Sequence, residues 1–287
     1  MAKILSGAPV VEALGVKMKS GIEYIKTKGI SPTLAILRVG EKPDDISYER
    51  TAIKRCESVG VSAKSIVLPA NITQHELIEK IEALNADDSV HGVLIFRPLP
   101  KHLNEHDVCS VLAPSKDIDG ITTRSLAGVF TGSGDGFAPC TAQAVLEILD
   151  FYDIDCTSKK IAVVGRSLVV GKPVAMMLIG RNATVTVCHT RTIDTPSITR
   201  NADIIVVATG QMESLTTKYF SSGQVVIDVG INWNDAKGKL CGDVKFDDAE
   251  QIVAAITPVP GGVGTVTTSV LVSNVVKAAK IINNLLA

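Results

Sequence analysis

Residues 160–173 read KIAVVGRSLVVGKP: an apolar run ends at Gly165, Arg166-Ser167 follows, and Gly171-Lys172-Pro173 comes four residues later. A glycine at a strand end lets the chain turn tightly and lets a phosphate approach the backbone. Gly171 lets a helix start close to the sheet, and Pro173 suits a first helical turn. The pattern GxSxxxG is a variant of the dinucleotide turn GxGxxG. By itself it fits equally a βα turn whose glycines serve packing alone. A second signal lies at the end of the next run, ATVTVCH (183–189), which leads into Thr190-Arg191. In a doubly wound sheet that strand end reaches the adenosine ribose, where an acid would select a free 2′-hydroxyl. The sequence offers a hydroxyl and an arginine instead. Arg166, Ser167, Thr190 and Arg191 together supply two guanidinium groups and two hydroxyls, the chemistry that holds a 2′-phosphate. The plainer reading is a pair of solvated surface arginines. The spacing favours NADP over NAD.

Elements must exist to hold these residues in place. TLAILRVG (33–40), HGVLIFRPL (91–99), KIAVVG (160–165), ATVTVCH (183–189), ADIIVVATG (202–210) and QVVIDVGIN (224–232) read as buried strands. Helix-length stretches lie between them, among them Tyr48 to Val59, His75 to Ala86 and Lys172 to Ile179. Strands separated by helices at this spacing predict an α/β fold of parallel sheets with helices on both faces. A boundary is expected within 136–158, where GDGFAPCTAQ opens a helix from Ala142 to Tyr152. From Lys160 to about Val266 the chain reads as a compact nucleotide-binding unit. The tail from Thr268 to Leu286 has apolar residues at helical spacing and is expected to return to the first domain. The expected division is thus 1–140 with 268–287 as a first, catalytic domain, and 141–267 as a Rossmann-like domain.

Composition narrows the function. Lys plus Arg number 29 against 30 Asp plus Glu, a net charge of -1, which argues against a broad basic face for nucleic acid. No stretch approaches the roughly 18 uninterrupted apolar residues of a spanning helix, and the N-terminus is a poor signal peptide, so a cytoplasmic protein without membrane contact is expected. The six cysteines are scattered without a CxxC pair, which predicts reduced, buried thiols. The five histidines show no metal-ligand spacing, and no metal is expected.

Further motifs complete the pattern: Lys116-Asp117-Ile118-Asp119-Gly120, Pro139-Cys140-Thr141, Val229-Gly230-Ile231-Asn232 and TPVPGGVG (257–264). Taken alone, TPVPGGVG is a rigid loop, in which prolines fix φ and glycines permit close approach to a ligand. In this order and spacing, with GRSxxVG, the motifs resemble the methylenetetrahydrofolate dehydrogenase/cyclohydrolase family over essentially the whole chain. The resemblance implies two reactions: hydride transfer from the folate methylene to a nicotinamide, and opening of the resulting methenyl bridge by water. It implies tetrahydrofolate derivatives as substrates and a homodimer. It also implies catalytic roles for Tyr48 and Asp119, and substrate contacts from these two with Pro258, Pro260, Gly261 and Gly262. Cofactor contacts are implied for Gly165, Arg166, Ser167, Gly171, His189, Thr190, Arg191, Gly210, Gly230 and Ile231.

The chain departs from the family's pattern at particular places. The family places a lysine four residues after the tyrosine; this chain has Ala52. Four helical residues turn through about 400°, so position 52 points the same way as Tyr48 within ~40°. Lys54 faces away, and Arg55 returns to the Tyr48 face two turns along. Where relatives commonly read VQLPLP, this chain reads Ile95-Phe96-Arg97-Pro98-Leu99-Pro100, so Phe96 stands for the glutamine that supports the lysine. Asp45 replaces a serine, and Thr265 a proline. Hydrolysis of the methenyl bridge needs proton management, whereas hydride transfer chiefly needs two rings held at close range. The departures therefore predict a dehydrogenase with little or no cyclohydrolase activity. The alternatives are a bifunctional enzyme in which Arg55, Arg97 or Asp45 restores proton transfer, a silent folate- or nucleotide-binding paralogue, and a Rossmann dehydrogenase acting on another substrate.

Overall fold

A computed structural model of the chain describes residues 1–285. In chain order its strands and α-helices are β1 (Lys3–Ile4), α1 (Gly7–Thr27), β2 (Thr33–Val39), α2 (Pro43–Val59), β3 (Ser62–Leu68), α3 (Gln74–Ala86), β4 (Gly92–Ile95), α4 (Glu105–Ser110) and α5 (Thr123–Thr131). They continue with α6 (Cys140–Phe151), β5 (Lys160–Val164), α7 (Gly171–Ile179), β6 (Thr184–Cys188), α8 (Thr195–Arg200), β7 (Ile204–Val207) and β8 (Val225–Asp228). The last elements are β9 (Asn232–Asn234), β10 (Lys239–Cys241), α9 (Phe246–Ala249), β11 (Ala255–Ile256) and α10 (Val263–Ile282).

The chain divides into two compact units, one of Ala13–Cys140 with the residues from Thr268 onward, the other of Met1–Glu12 with Thr141–Thr267. The expected domain of residues 1–140 is corrected at its start. Lys3 and Ile4 pair in parallel with Ala255 and Ile256, and Ala2 joins the core of the second unit. A two-residue strand is too short to carry a readable period, so its partner is invisible in the sequence.

In the first unit a parallel sheet runs in the order β3-β2-β4. All seven residues of the central strand β2 are buried, in keeping with a run that is apolar from Leu34 to Leu37; its charged member, Arg38, pairs with Glu49 at 2.8 Å. Leu37, Leu77, Ile81, Val93, Ile95 and Val108 lie in its core. The edge strand β3, SAKSIVL, is largely exposed and carries Lys64 and Ser65, and its polar residues hide it from a reading based on apolar runs. Helix α2 starts at Pro43, five residues before the expected start at Tyr48. Pro43 occupies the first turn, where a missing N–H costs nothing, and the helix stops at left-handed Gly60, φ 89°. Helix α10 begins at Val263, ahead of the expected Thr268, and ends at Ile282; Leu286 lies outside the described residues. By length and composition α10 could cross a bilayer, but 67% of that stretch is buried within the protein. Its Asn274 Nδ2 donates to the Ile118 carbonyl at 2.9 Å, which ties the helix to the KDIDG segment.

The second unit holds a six-stranded parallel sheet in the order β1-β11-β8-β7-β5-β6. The chain runs from β5 to β6 on one side, then crosses back to β7 and β8 on the other. This reversal beside β5 is a topological switch point, where α/β sheets bind ligands outside the carboxyl ends of their strands. The expected strand 224–232 is interrupted: β8 ends at Asp228, and Asn232 starts a short antiparallel hairpin with β10. All six cysteines are free and buried.

Candidate active site

The first unit gathers Tyr48, Ala52, Phe96 and Asp119. Tyr48 stands on the second turn of α2, half-buried. Ala52, one turn on, is fully buried at 0% exposure. Phe96 follows β4, and its ring meets the Tyr48 ring edge-on, with centroids 5.7 Å apart and planes at 85°. That arrangement places positive ring edge against negative ring face. The side chains at the two departing positions, 52 and 96, are thus apolar and buried.

The KDIDG segment separates into structural and site residues. Lys116 Nζ donates to the carbonyls of Leu84, Asn85 and Asp87 at 2.9, 2.9 and 2.7 Å, closing the end of α3. Asp117 is fully buried and accepts from the N–H groups of Ile121 and Thr122 and from the Ser125 hydroxyl, at 2.9, 2.8 and 2.6 Å. Gly120, φ 65°, has no room for a side chain, because a Cβ would meet the Phe137 carbonyl and the Pro139 nitrogen at 2.5 Å. Asp119 is the member left for chemistry. Burial pushes its carboxyl up to about 6; the charge of Arg97 and a hydrogen bond with the Cys140 thiol pull it back, and Asp117 adds to the rise. The Tyr48 hydroxyl is also held well above its ordinary range, first by burial and then by Asp119 and Cys140, opposed by a hydrogen bond with Thr268.

Tyr48, Asp119, Cys140 and Thr268 thus form one group from α2, the KDIDG loop, the start of α6 and α10. Thr268 carries no signal in the sequence; only the return of α10 brings it to Tyr48. Of the residues that could replace the lysine, Arg97 acts on Asp119 and also lies 3.7 Å from Glu105. The Arg55 guanidinium lies instead against Gly15 of α1, on the space a side chain there would take. Lys42, which the sequence reading passes over, donates from Nζ to the Pro98 carbonyl at 2.9 Å.

The second unit has a cavity of about 550 Å³ at the carboxyl ends of β5, β6 and β7. Gly165, Arg166, Ser167, His189 and Thr190 line it, as do Asp194, Thr209, Ser214 and Lys218. Gly165 has φ 131°, and a Cβ there would collide with the Ala208 carbonyl at the end of β7. A Cβ on Gly171 would collide with the Gly165 carbonyl, so the two glycines let the β5 turn and the start of α7 close on each other. Ser167 Oγ accepts from the Val170 N–H at 3.1 Å and stiffens that turn. His189 Nδ1 accepts the Arg191 N–H at 3.1 Å, which leaves the proton of the neutral ring on Nε2. Arg191 is exposed and, like Gly171, Gly210, Gly230 and Ile231, does not line the cavity. Asp194 is an acid that the sequence reading misses. It caps α8 by accepting from the Ser197 N–H at 3.2 Å.

TPVPGGVG packs tightly on its own unit. A Cβ on Gly262 would collide with the Pro258 carbonyl, and one on Gly264 would come within 2.7 Å of Ile231 Cδ1. Gly261, φ 99°, faces open space, with only Pro258 Cγ at 3.9 Å. The glycine at 262 is therefore required by the loop itself, and Gly261 by its backbone conformation.

Comparison with known proteins agrees with this geometry. Residues 5–119 match the family described as "Tetrahydrofolate dehydrogenase/cyclohydrolase, catalytic domain", and residues 139–283 match its "NAD(P)-binding domain". The chain is 48% identical over 280 residues to the bifunctional protein FolD of Clostridium botulinum, covering 98% of this chain and 99% of the relative. The structure of the bifunctional FolD of Campylobacter jejuni superposes with a TM-score of 0.95 at 39% identity, covering 98% and 99% of the two chains. That of the Trypanosoma brucei enzyme, complexed with NADP and an inhibitor, gives 0.91 at 33% identity, covering 98% of each. Two matched domains in sequence order, on a fold with a dinucleotide-type turn at its switch point, leave one assignment: the chain belongs to the tetrahydrofolate dehydrogenase/cyclohydrolase family.

Proposed function

We propose that this chain oxidises 5,10-methylenetetrahydrofolate to 5,10-methenyltetrahydrofolate with NADP, and that the methenyl product leaves without efficient hydrolysis. The observation that carries the second half is the apolar pair at 52 and 96. Position 52 has no exposed surface, and Phe96 closes edge-on against the Tyr48 ring. No proton donor or acceptor is present at either position, so water activation and protonation of the leaving amine lose the groups that the resemblance assigns to them.

The rest of the site fits the oxidative step. The Tyr48 ring offers a flat surface for the pterin or aminobenzoyl rings. Its hydroxyl stays protonated across the working pH range and can donate a hydrogen bond. Above pH 6 Asp119 is a carboxylate that can accept from a pterin amino group and ring N–H, orienting the ring without taking part in the transfer. The cavity at the switch point has the size of a ligand site, with Gly165 in its wall at the turn where a dinucleotide's phosphates would approach the backbone. Arg166 and Lys218 supply cations, and Ser167 and Thr190 hydroxyls, for a 2′-phosphate; Asp194 is occupied in capping α8. The bound nicotinamide would supply the hydride acceptor.

A bifunctional reading is favoured by the similarity to relatives named as bifunctional and by the electrostatic coupling of Arg97 to Asp119. An arginine stays protonated and is a poor proton shuttle, so the dehydrogenase-only reading stands ahead of it. The deciding experiment follows nicotinamide reduction and methenyl absorbance together after methylenetetrahydrofolate is added. Equal accumulation of both supports the proposal. Enzyme-dependent loss of methenyl absorbance refutes it in favour of the bifunctional reading.

A further inference from the structure

Two buried aspartates interlock behind the cavity of the second unit. Asp243 is fully buried and has no cation within ion-pair distance among the described residues. Its Oδ2 accepts from the N–H groups of Thr209 and Gly210 at 2.6 and 2.8 Å, and its Oδ1 accepts from Asn232 Nδ2 at 2.9 Å. Asp228 Oδ1 accepts from the N–H groups of Gly230 and Asp243 at 2.9 and 3.1 Å, and its Oδ2 accepts from that of Val244 at 2.9 Å. The glycines beside them are reciprocal. A Cβ on Gly230 would collide with the Asp243 side chain, and one on Gly242 would collide with that of Asp228.

These bonds have a consistent geography. Thr209 lines the cavity. Gly210 lies in the loop after β7, and Asn232 is the first residue of β9, at the end of the loop after β8. Ile231, beside Asn232, packs on Gly264 of TPVPGGVG. In a doubly wound sheet the two halves of a dinucleotide lie on either side of the switch point. Arg166 and Thr190 stand on the β5–β6 side; the loops held by Asp243 stand on the β7–β8 side. We infer that Asp243 is a positioning residue for the nicotinamide half of the cofactor, fixing the loops after β7 and β8 through three hydrogen bonds while touching no part of the cofactor itself. Gly230, expected from the sequence to meet the cofactor, has a second reason to be glycine: it admits Asp243.

The inference rests on the nicotinamide-cofactor reading above, and the test separates the two. Binding of NADP and of its fragment 2′-phospho-ADP-ribose, which lacks the nicotinamide, is measured by calorimetry for the wild type, Asp243→Ala and Asp243→Asn. Alanine strands two N–H groups and frees both loops, so NADP should bind roughly tenfold or more weakly, while the fragment keeps its affinity. Asparagine restores most of the loss: its amide oxygen accepts from Thr209 and Gly210, and its NH2 faces an Asn232 amide that can turn over to accept. Should Asp243→Ala fail to fold, Asn232→Ala keeps the carboxylate, removes one bond, and should show the same split at about threefold or more. A parallel loss of NADP and fragment affinity, or no loss of either, overturns the inference and leaves the cofactor reading intact. A wild type that binds neither NADP nor the fragment overturns both.

Discussion

The Tyr48 and Phe96 rings meet edge to face at 5.7 Å, beside an Ala52 with no exposed surface. Positions 52 and 96 carry apolar side chains where the resemblance places a polar pair, and the tyrosine is kept; on the function proposed above, that would separate ring stacking from proton transfer within one site.

Restoring the polar pair should restore hydrolysis. Ala52→Lys with Phe96→Gln should raise methenyl decay, within the ~10²–10⁴-fold that general acid–base assistance supplies, and change hydride transfer less. Ala52→Lys alone buries an ammonium beside Phe96 without a polar partner. Its melting temperature should fall well below that of the double variant. Stopped-flow absorbance and thermal melts read both effects, and equal hydrolysis in wild type and double variant would sink the explanation.

The dehydrogenase should show an acid limb set by Asp119. Its folded pKa of about 6 is above its ordinary 3.8, so the neutral form predominates below pH 6 and the carboxylate above. If the carboxylate orients the pterin, kcat/KM for the folate rises with pH through about 6 and levels off. Asp119→Asn should lose the limb and most of the folate affinity, with cofactor affinity nearly unchanged. The same raised pKa has an opposite sign for stability. This group's contribution is fully present below pH ~4 and lost as pH rises through 6, so Asp119→Asn should gain stability relative to wild type between pH 4 and 7 in denaturant melts.

Cofactor choice should depend on Arg166. Loss of a charge-assisted contact costs at least ~1.5 kcal/mol, and Arg166 is exposed, so Arg166→Ala should weaken NADP about tenfold and NAD scarcely at all. Equal KM changes for the two cofactors would mark Arg166 as a surface residue.

Lys116 and Asp119 sit three residues apart in one motif and should fail differently. Lys116→Met leaves three carbonyls without the ammonium that caps them, a loss of roughly 2–4 kcal/mol in chemical denaturation. The KM values of the protein that remains folded should stay near wild type. A variant that melts normally but loses folate affinity would move Lys116 into the binding site.

How much of this was legible in the sequence depends on the range of each interaction. The strands β2, β5 and β7 announced themselves by the apolar stretches Leu34 to Leu37, Ile161 to Val164 and Ile204 to Val207, and the β5 turn by its glycines, because these demands act within a few residues. Ala52 and Phe96 stood out by their place in motifs, and helical geometry alone put position 52 on the Tyr48 face. Tertiary structure alone decided what those positions meet. It brought Thr268 to Tyr48, joined β1 to β11 across some 250 residues of chain, set Asp119 in surroundings that raise its pKa, and turned Asp243 toward Thr209 and Gly210, 34 and 33 residues earlier. A hydrogen bond over such a separation leaves no period in the sequence, since its partners are chosen by the sheet that carries them.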